Sequence, residues 1–406
     1  MSAADHAAPG RLRLAAADSF RFAIIALIAF LTLVDLFAAQ AILPSLVQKF
    51  HVSRAAMGFA VNASTFGMAV AGIAVALFGK NLDRRNGIWI SLAVLAVPTT
   101  LLAFTDDITV FALLRVVQGL CMATAFTLTM AYLAEHFSPA EAAGALAAYV
   151  TGNVASNFFG RILSAAVADT IGLEGNFLTF AGLNLAGALL VWFTLRKAQP
   201  MMATGGMPTM RGWAAHLGNR QLRHAFAIGF LILFVFIGTY TYVNFELTAP
   251  PLGLSPMGLG LVYFVFLPSL LTTPFAGKVS RIFGPGAGVA ISLAVAVAGL
   301  MCLLSTNLAT VLAGMVLVAV GTFLAQAIAT GHVGRVALAD KASASGIYLA
   351  SYYCGGLVGS FVLGQVYDTV GWTAAVAVLV AALVVAMLLS VGLRAPQPIA
   401  GHKRGT

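Results

Sequence analysis

Residues 20–43 read FRFAIIALIAFLTLVDLFAAQAIL, an apolar run with Arg21 at its start and a single carboxylate, Asp35, deep inside it. A bilayer core takes about 20 mainly apolar residues per spanning helix, so this run has membrane length. The residues ahead of it are polar, and no small-residue cleavage pattern follows it, which reads as an uncleaved first helix rather than a signal peptide. Eleven further stretches repeat the pattern, at 56–79, 87–104, 108–134, 142–168, 175–195, 225–247, 256–277, 285–304, 308–333, 343–367 and 372–393. A chain with 60% hydrophobic and 9% charged residues and a mean hydropathy of +0.96 is untenable in water at this size. The expectation is an all-α membrane protein of 12 transmembrane helices. The head (1–19), the central loop (196–224) and the tail (394–406) are each too short to bury a core of their own.

Basic residues set the orientation, because Lys and Arg in short loops stay on the cytoplasmic side. Of 22 Lys and Arg residues, only Lys49 and Arg54 fall in the loops of one face. The opposite face collects Arg84, Arg85, the Arg196–Arg223 cluster, Lys278, Arg281, Arg335, Lys341, Arg394, Lys403 and Arg404. Both termini and the central loop are therefore expected in the cytoplasm, with Asp106, Asp107, Asp169, Glu174 and Asp368 outside. The net charge of +9 follows from this topology. No basic segment is interleaved with aromatics, so no nucleic-acid partner is expected. Cys121, Cys302 and Cys354 all lie within apolar stretches and are odd in number, which reads as small apolar filler and not as a disulfide framework.

The two halves, 20–195 and 225–393, echo each other. Gly79-Lys80 after the second stretch is matched by Gly277-Lys278 after the eighth, and Gly160 to Asp169 in the fifth by Gly359 to Asp368 in the eleventh. Parallel internal repeats of this kind build transporters from two bundles related by an axis along the membrane normal, with the substrate site between them near the midplane. Glycines crowd the fifth and eleventh stretches at Gly144, Gly152, Gly160, Gly355, Gly356, Gly359 and Gly364. Small residues allow close backbone approach between membrane helices, and such helices can also rock against each other.

The fourth stretch carries Arg115-Val-Val-Gln118-Gly119, and the loop after the second reads Gly79-Lys-Asn-Leu-Asp83-Arg84-Arg85-Asn86-Gly87. The first resembles the RxxQG motif of proton-coupled antiporters and the second the GxxxDRxGRR loop of the major facilitator superfamily. The loop departs from that pattern where Asn86 replaces the second glycine and Ile88-Trp89 the trailing basic pair. Gly152-Asn153, Gly160-Arg161-Ile-Leu-Ser, Tyr242-Val-Asn244-Phe-Glu246-Leu and Tyr352-Tyr353-Cys-Gly355-Gly356 are similar to the YnfM-like efflux group. The antiporter glycine-proline signature is missing, since no proline occurs between Pro139 and Pro200. The resemblance implies two six-helix bundles around a central cavity, and a cytoplasmic gate at Gly79, Asp83 and Arg84.

Ionisable side chains inside a bilayer are costly and mark function. Asp35, Arg115 and Arg161 are the clear cases, and Glu246 lies near the outer end of the seventh stretch. At 1.5 Å per residue, Asp35 lies about 12 Å and Arg115 about 10 Å from the outer ends of their stretches. In the fold this resembles, both helices line the cavity, so the two could pair, with Asp35 titrating and Arg115 as its switchable counter-charge. A static pair that fixes helix packing is the alternative, although a buried pair is weak evidence for stability alone. Arg161 either contacts an anionic substrate or bonds carbonyls across a helix interface, and it cannot itself release a proton. Further cavity candidates are Gln118, Asn153, Asn157, Tyr240, Asn244, Gln326 and Tyr352, with Asn62 and Tyr263 as polar neighbours. Each such residue alone is commonly an interhelical hydrogen bond.

Gly284-Pro-Gly286-Ala-Gly288 lacks the strand and Gly-Lys-Ser/Thr of a phosphate loop and reads as the start of a helix. Glu135-His136 lacks the second histidine of a zinc protease, no metal site is expected, and His332 reads as a helix-end capping residue. The expected function is a secondary transporter of a small molecule in a cytoplasmic membrane, without cofactor, working as a monomer. Export by proton antiport leads, and proton-coupled import is the alternative. A membrane sensor or an intramembrane enzyme is more remote, and no nucleophilic triad supports the latter.

Overall fold

The computed structural model describes the backbone of residues 8–78, 82–137, 139–196, 210–337 and 341–394. Fifteen α-helices follow in order: α1 (Ala8–Ala41), α2 (Leu43–Phe50), α3 (Arg54–Phe78), α4 (Arg84–Phe104), α5 (Ile108–His136), α6 (Pro139–Thr194), α7 (Met210–Gly218), α8 (Arg220–Thr248), α9 (Pro256–Val262), α10 (Leu267–Thr272), α11 (Ala276–Phe283), α12 (Pro285–Cys302), α13 (Leu308–Val336), α14 (Lys341–Thr369) and α15 (Trp372–Ser390). The described residues contain no β-strand. Among the described residues, eleven segments are long and apolar enough to cross a membrane. One of them, Ala148–Thr194, has 47 residues, about twice what a bilayer needs. It reverses at Gly172, where φ is 76°, a backbone state that glycine adopts without penalty. The fifth and sixth expected stretches are thus two arms joined by one tight turn at Gly172, within the segment 169–174 read from sequence as an outer loop.

Other departures have local causes. Helix α1 begins at Ala8, twelve residues before the apolar run, and α7 forms inside the expected central loop. The eighth stretch is interrupted, with 3₁₀ turns at Tyr263–Phe266 and Thr273–Phe275 between α9, α10 and α11. Pro268 and Pro274 lie there, and a proline without an N–H breaks the helical ladder. Helix α12 opens at Pro285 after Gly284, as the glycine-rich run suggests.

The internal repeat is visible in the packing. Helix α1 packs on α6, α3 on α5, and α4 on both α5 and α6; in the second half α8 packs on α14 and α15, and α12 on α13 and α15. Asp107 caps α5 and Asn307 caps α13. Gly371, at φ 101°, turns α14 into α15 as Gly172 turns α6. The glycines of the fifth and eleventh stretches sit at backbone contacts: a Cβ on Gly152 would lie 2.0 Å from the Ala26 carbonyl, and one on Gly355 would lie 2.0 Å from the Phe230 carbonyl.

The halves meet along a seam at one end of the molecule, where α3 packs on α14 and α6 on α9. There Asp368 accepts a hydrogen bond from the Ala55 backbone at 2.9 Å, and Phe59 meets Phe361 edge to face at 5.8 Å. Arg54 lies over the Tyr367 and Phe245 rings at 5.2 and 5.5 Å. Lipid-side positions carry large apolar residues, among them Phe66, Leu113, Phe193 and Leu271, which are exposed in the isolated chain.

Candidate functional site

Two polar clusters occupy the interior of this apolar protein. The first joins α1, α3, α4 and α5. Asp35 and Arg115 are 3% and 1% exposed. The Arg115 guanidinium donates to the Val61 carbonyl at 2.8 Å, the Asp35 backbone carbonyl at 3.1 Å, Ser64 Oγ at 3.1 Å, Gln118 Oε1 at 2.6 Å and, more weakly, the Leu36 carbonyl at 3.5 Å. It does not touch the Asp35 carboxylate. Gln118 stands between them, holding Arg115 with its carbonyl and donating from Nε2 to Asp35 Oδ1 at 3.3 Å and to Thr99 Oγ1 at 2.6 Å. Thr99 Oγ1 lies 3.1 Å from Asp35 Oδ1 and 2.8 Å from the Leu95 carbonyl, with one proton to serve both, and it also accepts from Asn184 at 3.2 Å. The second carboxylate oxygen of Asp35 accepts no hydrogen bond from the described residues. The equal depth expected for Asp35 and Arg115 is realised as a three-membered relay and not as a direct pair.

The second cluster lies where the halves meet. Arg161, fully buried on the first arm of α6, donates from Nε to Asn157 Oδ1 at 3.0 Å and from Nη2 to Gln40 Oε1. Four rings surround its guanidinium: Tyr263 at 4.3 Å, Phe37 at 5.4 Å, Phe266 at 5.6 Å and Tyr240 at 6.0 Å. Contacts of this kind favour a desolvated cation. Gln40 also donates to Asn62 Oδ1 at 2.7 Å, and Asn62 donates to Thr241 Oγ1 of the second half at 3.0 Å. Asn244 donates to the Gln40 carbonyl at 2.9 Å and accepts from the Tyr263 hydroxyl. Just beyond, a cavity of about 220 Å³ is lined by Ala41, Ser45, Ala165, Asp169, Thr248 and Leu259.

The remaining sequence candidates lie elsewhere. Tyr240 and Asn244 join the Arg161 cluster, with the Tyr240 hydroxyl donating to the Met315 carbonyl at 2.6 Å. Asn153, one turn before Asn157, has a buried carbonyl oxygen without a partner among the described residues. Glu246 accepts from the Tyr367 hydroxyl at 2.6 Å near the seam, apart from either cluster. Gln326 is half-buried on α13, and Tyr352 stacks with Tyr348 at 6.2 Å. Of the gate, Asp83 caps α4 by accepting from the Asn86 backbone at 2.8 Å, and Arg84 pairs with Glu135 of α5 at 2.8 Å. Gly79 lies outside the described residues. His332 is not seen as a cap: it is fully buried, and neither ring nitrogen has a hydrogen-bond partner among the described residues. No group of His, Cys, Asp and Glu suited to a metal occurs among the described residues.

Gln40, Thr99 and Asn184 escaped the sequence reading. All three are polar residues within apolar stretches, as visible as Gln118, but no motif marks them.

Buried charge relays between packed helices, set in a repeated all-helical bundle, are the architecture of a membrane carrier. The Major Facilitator Superfamily model matches residues 25–265 and 230–405, and the chain belongs to that family. It is 26% identical over 364 residues to the MFS-type transporter YybF of Bacillus subtilis, covering 89% of this chain and 90% of that one. It is also 26% identical over 356 residues to the inner membrane transport protein YnfM of Escherichia coli, covering 87% and 85%. A bacterial homologue of the lysosomal transporter Spinster, solved in an inward-facing, unoccupied conformation, superposes with a TM-score of 0.74 at 15% identity, covering 94% of this chain and 99% of that one. The protein is therefore a multi-pass transporter of the cytoplasmic membrane and not an enzyme.

Proposed function

We propose that the protein exports a small molecule in exchange for protons by alternating access, acting as a monomer of two six-helix bundles, 20–195 and 225–393, with both termini in the cytoplasm. The observation that carries this reading is the buried Asp35 carboxylate, contacted by the neutral donors Gln118 and Thr99 and one residue removed from the Arg115 charge. Ionised Asp35 draws the Thr99 proton to itself. Protonated Asp35 no longer needs that bond, and Thr99 can turn its proton to the Leu95 carbonyl. The protonation state of one carboxylate is thereby communicated to α4 and α5, which also carry the Arg84–Glu135 pair at their other ends. A state that relaxes one face of the bundle while the seam holds the other supplies the two conformations that alternating access needs. The basic face is read as cytoplasmic, so the seam at Ala55 and Asp368 closes the outer side. Export is supported by the Arg115…Gln118-Gly119 likeness to antiporters; a symporter would use the same carboxylate.

Proteoliposomes with an acidic lumen and a trapped pH dye test this reading. External addition of a transported compound should alkalinise the lumen as protons leave in exchange. A compound that crosses the membrane through the protein with no movement of protons would overturn the coupling.

A further inference from the structure

The buried charges are satisfied unequally. Arg115 uses its guanidinium on five acceptors, three of them backbone carbonyls. Arg161 donates to Asn157 Oδ1 and Gln40 Oε1 beside the Tyr263 side chain, and its Nη1 has no hydrogen-bond partner among the described residues although the residue is fully buried. Among the described residues no carboxylate bonds to it, so its positive charge is held by neutral amides and four aromatic rings. A buried N–H without an acceptor costs about 1–3 kcal/mol, more for a charged group.

The missing partners form a pattern. Asn157 sits one turn before Arg161, and because its Oδ1 accepts from Arg161 Nε, its Nδ2 is a donor; that donor is also buried and unpartnered. Asn153, one turn earlier again, has its unpartnered Oδ1. Residues four apart share a helix face about 6 Å apart, so the three side chains form a polar ladder of about 12 Å on α6. One turn beyond Arg161, Ala165 lines the cavity described above, together with Asp169. Arg161 thus stands on α6 between the two asparagines and the turn that lines a partly open pocket.

We propose that Arg161 Nη1 and Asn157 Nδ2 form a two-donor fork for the carboxylate of an organic monoanion, whose apolar body packs among Phe37, Tyr240, Tyr263 and Phe266. The proposal rests on the transport reading above and names the substrate class for it. A carboxylate accepts two parallel N–H bonds and cancels a single guanidinium charge. A dianion would leave a net negative charge buried, and a cation would meet an uncompensated positive one, each at large cost. Binding also reaches the seam: a carboxylate on the guanidinium competes with Gln40, the residue that ties α1 to Asn62 and Asn244.

The probes are 2-naphthoate, its neutral amide and its cationic amidine, equal in shape and different in charge. Binding to the full-length protein in detergent is measured by calorimetric titration, and flux of the same compounds in proteoliposomes with protein-free vesicles subtracted. The wild type should bind the carboxylate at least about tenfold more tightly than either congener. Arg161→Gln should erase that preference, and Arg161→Lys should keep part of it. Should Arg161→Gln not fold, Asn157→Leu serves in its place and should weaken the carboxylate alone. Equal or tighter binding of the amide or the amidine by the wild type, or no binding of the carboxylate, overturns the proposal. Flux of the amide or amidine without preference leaves transport standing and removes the anion site. Selective carboxylate binding without flux of any probe supports the site and removes the transport reading.

Discussion

Arg115 on α5 and Arg161 on α6 are both buried guanidinium groups, and the hydrogen bonds they make separate their roles. Membrane-embedded hydrogen bonds contribute about 0.6 kcal/mol each on average, so the five bonds of Arg115 amount to about 3 kcal/mol and the two of Arg161 to about 1 kcal/mol. Arg115→Gln should therefore lower the thermal unfolding midpoint in detergent markedly more than Arg161→Gln does. Equal losses would mean that Arg161 is as structural as Arg115. The relay through Gln118 was half legible in the sequence. The spacing of Arg115 and Gln118 puts them on one face of a helix, and depth arithmetic places Asp35 beside them. That Gln118 stands between the charges depends on how α1, α4 and α5 are rotated about their axes, which no single stretch encodes.

Between helices, backbone contact decides what can be substituted. Gly355 brings α14 against the Phe230 carbonyl, so Gly355→Ala should destabilise the protein by about 1–3 kcal/mol, the usual cost of overpacking. Gly182→Ala, with nothing within 4 Å of the added carbon, should be neutral or slightly stabilising in the same thermal assay. A destabilised Gly182→Ala beside an unaffected Gly355→Ala would refute the contact assignment. The helices themselves were legible from apolar length. Their interruptions were not: an apolar window averages over Pro268 and Pro274 in the broken eighth segment, and over Gly172, where two membrane lengths share one turn. The repeat shows at the same level, since Gly172 and Gly371 both turn a helix back with positive φ.

At the scale of the whole molecule, the seam joins the halves through contacts that each span both of them, and the proposed cycle has it close one face. Asp368→Ala removes the bond to the Ala55 backbone and, at about 1 kcal/mol for a lost helix-end acceptor, should shift the conformational ratio about fivefold toward outer opening. The rate of alkylation of Ala165→Cys by a membrane-impermeant maleimide, in a background lacking Cys121, Cys302 and Cys354, should rise accordingly; an unchanged rate would remove Asp368 from the latch. In the same background, cysteines at Arg220 and Arg394 should label only from the cytoplasmic side of sealed vesicles, and labelling from outside would invert the topology. The measurement that reaches the central claim is the comparison of Asp35→Asn with wild type in proteoliposomes, reading substrate–substrate exchange and proton-driven flux on one preparation. Exchange retained and proton-driven flux abolished is the predicted outcome. Proton-driven flux that persists unimpaired in the variant would contradict it and remove Asp35 from the coupling mechanism.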